Sequence, residues 1–227
     1  YFAARSGHLE LLKLLVEKGA DVTQGGVAPA LVAAQEGHLE VLRLIVERGA
    51  DVNRPGEKGV TPLLVAAHNG HLGVLRLLLE EGHADVNQAT ENGVTPAIVA
   101  VQQGRLEVLR LLIERGADVN TPGDEKCVTP LLVAIQQGHL GVLRLLVEKG
   151  NADVNKARTD GVTPAFVAAQ LGHLEVLRFL VEKGADVNQA TNHGATPALI
   201  AAQKGHLEVL RLLFEKGADL NQAMKDG

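Results

Sequence analysis

Apolar and polar positions along this chain fall into two helix-like patterns followed by a polar break, and the set recurs from one end to the other. In residues 62–81 the first pattern is short: Pro62 to Ala67 is apolar, His68 and Asn69 are polar, and Gly70 closes it. The second carries Leu72, Val74, Leu75, Leu77, Leu78 and Leu79, spaced to give one broad helical face. These spacings predict one helix over 62–69 and another over 71–81. Gly82 suits a left-handed turn past the second helix, and the polar segment with Gly93 near its tip reads as a hairpin loop. Thr61 before Pro62 is a start signal. The hydroxyl caps free backbone N–H groups, and proline at the first helical position has no N–H to leave unpaired.

The same signals return at a fixed interval. Thr-Pro stands at residues 61, 95, 129, 163 and 196, with Ala28-Pro29 in the place of a sixth, at intervals of 33, 34, 34, 34 and 33. Gly-His-Leu begins at Gly7, Gly37, Gly70, Gly138, Gly172 and Gly205, with Gly104-Arg105 as the variant, and Ala-Asp-Val/Leu runs on the same beat from Ala20 to Ala218. Seven units result, approximately 1–24, 25–57, 58–91, 92–125, 126–159, 160–192 and 193–227. Neither helix of a unit is long enough to be stable alone, so neighbours must bury one another, which is the physics of a solenoid. Composition agrees: 46% of residues are apolar but only 2% are aromatic, as suits thin layers packed with small aliphatics.

The stretch "GVTPLLVAAHNGHLGVLRLLLEEGHADVN" resembles the ankyrin repeat, with its Thr-Pro-Leu-His-x-Ala-Ala, Gly-His and Gly-Ala-Asp-Val-Asn elements. The resemblance covers essentially the whole chain. It implies an all-α fold, a single ankyrin-repeat domain over 1–227: a solenoid of stacked helix-turn-helix units with hairpin loops, spanning on the order of 70 Å at ~10 Å per unit. One departure is systematic. Where the family has the histidine of Thr-Pro-Leu-His, this chain has Leu31, Leu64, Ile98, Leu132, Phe166 and Leu199, exchanging a polar link for apolar packing. The paired alanines of the first helices are kept except at Val101 and Ile135, whose bulk is expected to spread the stack slightly.

A longer period overlies the first. Units 3 and 5 share Thr-Pro-Leu-Leu, a glycine inside the second helix (Gly73, Gly141) and an inserted residue before Ala-Asp (His83, Asn151). Units 2 and 4 share Pro-Ala and the segments "ERGADVNRPGEK" and "ERGADVNTPGDEK", so a two-unit block reads as duplicated. A helical glycine costs roughly 0.5–1 kcal/mol against alanine, which favours inheritance over idealised design. At the ends, Tyr1 aligns with Leu31 partway into a first helix and "MKDG" halts where a further unit would open. Tyr1, Phe2, Leu213 and Phe214 do not form the polar outer face expected of a free solenoid end. The expectation is a segment of a longer array, or an engineered piece cut at repeat boundaries. The stretch "DVTQGGVAPA" at 21–30 is a shortened finger, and Ala28 lacks the capping hydroxyl. Unit 1 is therefore expected to be the most weakly held, with a tip that contributes least to binding.

Charge and chemistry narrow the function. A net charge of −5 argues against nucleic acid as a partner. The single cysteine, Cys127, fits a reducing compartment, and no apolar run approaches the ~18 residues of a spanning helix. An intracellular, cytoplasmic monomer off the membrane is expected. Cys127 takes the place of Gly59, Gly93 and Gly161 in a hairpin with one extra residue, which is expected to relieve the need for glycine there. The recurring His8, His38, His71, His139, His173 and His206 read as structural residues at the turn between helices, because units ~10 Å apart cannot share one metal ion. On the second helices, Arg43 with Glu47 and its repeats are expected to pair four residues apart. No phosphate loop, acid pair or activated nucleophile appears, so neither catalytic residue nor cofactor is expected.

What remains is binding. The resemblance implies a protein or peptide partner held by the hairpin tips and the concave side of the first helices. The pair before each Gly-His includes Gln35, His68, Gln102, Gln136, Gln170-Leu171 and Gln203-Lys204. The near-constant glutamine reads either as an amide ladder for a partner's polar groups or as a solvated helix former carried along by duplication. Leu171 and Lys204 break their column and are the better candidates for selected contacts. Among the tips, Arg54 and Arg158 are of the type enriched in binding hot spots. The reading is a non-catalytic protein-binding scaffold; its rivals are an engineered or excised stable array without a natural ligand, and the targeting module of a larger enzyme.

Overall fold

The computed structural model of the chain describes residues 1–22 and 28–219. The tip of the short finger at 23–27 and the "MKDG" segment lie outside the described residues. The chain divides into two compact units, Tyr1–Asp118 and Val119–Gly227. The first holds four helix pairs: α1 (Phe2–Arg5) with α2 (Leu9–Glu17), α3 (Ala28–Glu36) with α4 (Leu39–Glu47), α5 (Pro62–Asn69) with α6 (Leu72–Glu80), and α7 (Pro96–Gln102) with α8 (Leu106–Glu114). The second holds three: α9 (Pro130–Gln136) with α10 (Leu140–Glu148), α11 (Pro164–Leu171) with α12 (Leu174–Glu182), and α13 (Pro197–Lys204) with α14 (Leu207–Glu215). Among the described residues there is no strand.

Each first helix opens as its Thr-Pro predicts. In α5, α7, α9, α11 and α13 the threonine is extended and its Oγ1 accepts the backbone N–H three residues on, from Leu64, Ile98, Leu132, Phe166 and Leu199 at 3.1–3.4 Å. All five threonines are buried, so water cannot substitute for the cap. Alanines then let first helices pack closely: α3 lies on α1 and α5, and α5 on α7; in the second compact unit α11 lies on α9 and α13. Ala33, Ala34, Ala66, Ala67, Ala168 and Ala169 are fully buried, as are Val101 and Ile135 at the same positions. The apolar replacements Leu64, Ile98, Leu132 and Phe166 are buried too, whereas Leu199 is 38% exposed.

The second helices are one residue shorter at each end than their pattern suggests. His71 sits at the N-cap with φ −77° and ψ 77°, and α6 ends at Glu80. Their apolar faces, such as Leu75, Leu78, Leu109 and Leu112, are fully buried. Leu213 is buried as well, so of the four residues named at the chain ends only Tyr1, Phe2 and Phe214 are exposed.

Two turn expectations are corrected. Gly82 is not left-handed: the inserted His83 carries the positive φ of 52°, as Asn151 does at 54° in the other unit with an insertion. Gly82 is required for space instead, since a Cβ there would stand 2.9 Å from the Leu78 carbonyl oxygen and 3.1 Å from Val52. Cys127 has not escaped the glycine conformation either; its φ is 59°, beside 79° to 81° at Gly59, Gly93 and Gly161. The reason lies between tips. The residue just before this position offers its carbonyl to the next tip: Lys58 to Glu91 N–H at 3.1 Å, Lys126 to Thr159 N–H at 3.2 Å and Asp160 to Asn192 N–H at 3.0 Å. Keeping that bond keeps the left-handed turn, whatever residue fills it.

Candidate protein-binding surface

The turn between helices is tied to the neighbouring repeat by its histidine. Nε2 of His38 donates to the carbonyl of Arg5 at 2.9 Å, His71 to Gln35 at 3.0 Å and His206 to Gln170 at 3.1 Å. A carbonyl can only accept, so each Nε2 carries the proton. Each ring also lies over the glycine two residues past its acceptor. A Cβ on Gly7, Gly37 or Gly172 would come within 2.7–2.8 Å of the ring. Where arginine replaces the histidine, Arg105 Nε donates to the His68 carbonyl at 3.4 Å and its side chain covers Gly70. Among the described residues no group of three or more His, Cys, Asp or Glu side chains could hold a metal ion.

A second tie runs along the loops and escaped the sequence reading. The asparagine of Ala-Asp-Val-Asn reaches into the next repeat with both ends of its amide. Asn53 donates to the His83 carbonyl at 3.0 Å and accepts from Asp85 N–H at 2.6 Å. Asn155 does the same with Gly184 at 3.0 Å and Asp186 at 2.8 Å, and Asn188 with Gly217 at 3.1 Å and Asp219 at 2.7 Å. The aspartate two residues earlier accepts the asparagine's own N–H, holding it in place. The only sequence signal was recurrence once per repeat, which does not reveal a long-range bond.

Charge pairing on the second helices differs from the expected four-residue spacing. Arg43, Arg110, Arg178 and Arg211 lie 3.7–4.0 Å from the glutamate three residues before them. Glutamate N-terminal to a basic residue is the favoured order on a helix. Among the described residues Arg144 alone meets the glutamate four residues on, Glu148, at 4.0 Å, and Gly141 stands where the earlier glutamate would be. Other pairs cross between repeats: Arg43 with Glu81, Arg115 with Glu80, and Lys183 with Glu148 at 3.1 Å. The Arg115 guanidinium hydrogen-bonds Glu80 and holds its carboxyl below the usual glutamate range. In the second compact unit Arg144 and Lys183 also lie over the buried Phe179 ring, 4.8 and 5.4 Å from its centre.

The candidate contact residues fall at the end of each first helix. Gln35, His68, Gln102, Gln136, Gln170 and Gln203 are exposed, as are Lys204 and the tip residue Arg54. Leu171, the last residue of α11, is 42% exposed. The carbonyls of Gln35, His68 and Gln170 are occupied by the next repeat, while their side chains face solvent. Gln35 Nε2 contacts Glu36 at 3.4 Å and His68 Nδ1 lies 3.1 Å from Asn69 Oδ1. Arg158 is set apart: its side chain is 24% exposed and paired with Asp160 at 2.9 Å, which ties it to its own turn.

Helix pairs repeated on a fixed register, with buried alanine contacts and side chains displayed at constant positions, define a helical repeat protein. The chain belongs to the ankyrin-repeat family: the model for ankyrin repeats in three copies matches residues 1–56, 54–123 and 131–224. No curated protein matches the chain. Among solved structures, the crystal structure of the human ASB11 ankyrin repeat domain is similar, with 29% identity, a TM-score of 0.73 and coverage of 88% of each chain. Among the described residues no helix is long and apolar enough to cross a membrane.

Proposed function

We propose that this chain is a non-catalytic scaffold that binds a protein or peptide through the exposed ends of its first helices and its loop tips. The observation that carries the reading is the division of labour at Gln35, His68 and Gln170. Backbone carbonyls there are consumed by the next repeat, and side chains are displayed on a surface already held in place. A contact surface ordered before binding lowers the entropy cost of association. Leu171 and Lys204 are the residues on which selectivity rests, because they depart from the polar, uncharged residues at the same position in α5, α7 and α9. An exposed leucine beside an amide offers an apolar anchor with a polar neighbour.

The test is affinity capture with the chain and with a Leu171→Ala/Lys204→Glu variant, folding being checked by circular dichroism. A partner retained by the first and lost by the second supports the reading. Partners released equally by substitutions on the outer face of α12 contradict it.

A further inference from the structure

The pair Asn-Gly occurs at Asn69-Gly70 and at Asn92-Gly93, and the fold treats the two differently. Such a pair carries both of its own reactants. The side-chain amide carbon is an electrophile, the next main-chain nitrogen can close on it into a five-membered ring, and glycine has no side chain to shield that nitrogen.

Asn69 ends α5 with both ends of its amide taken. Nδ2 donates to the Gln35 carbonyl of the preceding repeat at 2.9 Å, and Oδ1 lies 3.1 Å from His68 Nδ1. The Gly70 N–H is held by the Ala66 carbonyl at 2.9 Å. Asn92 stands instead at the tip of the loop between α6 and α7. Its side chain is exposed, and among the described residues nothing hydrogen-bonds its amide. The Gly93 N–H is held across a tight turn, by the Thr90 carbonyl at 2.9 Å. Exposed loop tips of this kind open at low cost.

The matching residues of the other tips do not share this chemistry. Lys58, Lys126 and His193 have no side-chain carbonyl to close a ring. Asp160 precedes Gly161, but its carboxylate is bonded to Arg158 at 2.9 Å and to the Val162 N–H at 3.2 Å. An ionised carboxylate is also a poor electrophile.

We propose that Asn92 is a self-modification site, at which the folded chain deamidates through a cyclic imide while Asn69 is spared. The Gly93 nitrogen gives its proton to hydroxide and attacks Asn92 Cγ. The Cγ–Nδ2 bond breaks, and the amide nitrogen leaves as ammonia with a proton from water. A second water opens the ring. Cleavage at Cγ leaves aspartate; cleavage at the main-chain carbonyl carbon leaves isoaspartate, with the backbone running through the side chain. Either product adds a negative charge to the tip. Isoaspartate also lengthens the main chain inside the turn that Thr90 closes, where Thr90 N–H donates to the Val94 carbonyl at 3.0 Å and Oγ1 accepts the Val94 N–H at 3.1 Å. That turn positions the Glu91 N–H for the Lys58 carbonyl, at 3.1 Å, so the tie between tips is lost with it. The modification does not depend on the partner-binding surface proposed above.

The test holds the full chain at mildly alkaline pH, native and in denaturant, and follows both sites by peptide mapping with fragmentation that separates aspartate from isoaspartate. In the native chain Asn92 is expected to convert roughly tenfold faster than Asn69, which must first release side-chain bonds that Asn92 lacks. In denaturant the two rates should converge. The isoaspartate fraction should lose hydrogen-exchange protection at the Glu91 amide while amides inside α7 keep theirs. Asn92→Gln, whose longer side chain closes a ring more slowly, should abolish the early acidic species on ion exchange and leave the circular dichroism spectrum unchanged. Equal native rates at the two asparagines overturn the proposal. So does an Asn92 that stays intact in the native chain while both sites convert in denaturant, or an early acidic species that survives in Asn92→Gln.

Discussion

His71 donates from Nε2 to the Gln35 carbonyl at 3.0 Å, and its ring occupies the space beside Gly37 in which a Cβ would stand 2.8 Å from Cε1. Gly37, at φ +78°, is therefore required twice, for its backbone and for the neighbour's ring. Gly37→Ala is expected to cost roughly 2–4 kcal/mol, the sum of a left-handed penalty of ~1 kcal/mol and an overpacking term of ~1–3 kcal/mol. Gly205→Ala has only the first and is expected to cost about 1 kcal/mol. In a His71→Ala background the penalty at Gly37 should fall towards that at Gly205. Denaturant unfolding of the double-mutant cycle measures it, and equal penalties at both glycines would show that the ring is not the obstacle.

The asparagine tie predicts an unusually expensive loop substitution. Asn155→Ala removes a donor to Gly184 and an acceptor from Asp186 at once. Two lost bonds at about 1 kcal/mol each give an expected loss of roughly 2 kcal/mol. Asn155→Asp keeps the acceptor and should cost about half as much. Hydrogen exchange should show the Asp186 amide losing protection in the alanine variant and keeping it in the aspartate variant.

Cys127 is a point of stored cost. A non-glycine residue in the left-handed region is disfavoured by ~1–2 kcal/mol, and glycine's greater freedom in the unfolded chain returns ~0.5–1 kcal/mol of that. Cys127→Gly is thus expected to stabilise the chain by about 0.5–1 kcal/mol, and Cys127→Val to destabilise it. Thermal unfolding of the three proteins gives the order, and a glycine variant less stable than the parent would refute the assignment.

Much of the architecture was legible because its signals are local. Thr61-Pro62 and Gly70 set both ends of α5 at the expected residues, Pro62 and Asn69. The apolar spacing on α6 likewise picked out Val74, Leu75, Leu77 and Leu78, which are buried, while Leu72 and Leu79 of the same face are half-buried. What was not legible depends on neighbouring repeats. Nothing near Asn155 in sequence indicates that its amide ends on Gly184, and nothing near Cys127 shows that a bond from Lys126 to Thr159 holds it left-handed. Gly82 misled because glycine after a helix usually serves its own φ, whereas here the inserted His83 takes that role and Gly82 makes room beside Val52. For the candidate surface, exposure of the glutamine column was foreseeable. The pairing of Arg158 with Asp160 was not, since two residues of opposite charge in one loop need not meet.

The Glu80–Arg115 pair gives a pH signature. Arg115 lowers the folded-state pKa of Glu80. A depressed carboxylate contributes stability above the unfolded glutamate pKa and loses it as pH falls through the folded value. Carboxyl NMR should find Glu80 titrating below the ordinary glutamate range, and Arg115→Gln should return it to that range. The stability difference between the parent and Glu80→Gln should vanish on the acid side of that titration. A Glu80 unaffected by Arg115→Gln would show that the pair does not persist in solution.

The central claim is that the exposed ends of the first helices receive a protein or peptide. Site-specific photo-cross-linking tests this most directly, with a photoreactive residue placed in turn at Gln136, Gln170 and Leu171, and at Glu182 on the second helix as the comparison. Covalent adducts to one partner from the first three positions and none from Glu182 are the predicted result. Adducts from Glu182 alone, with the first-helix positions silent, would contradict the account.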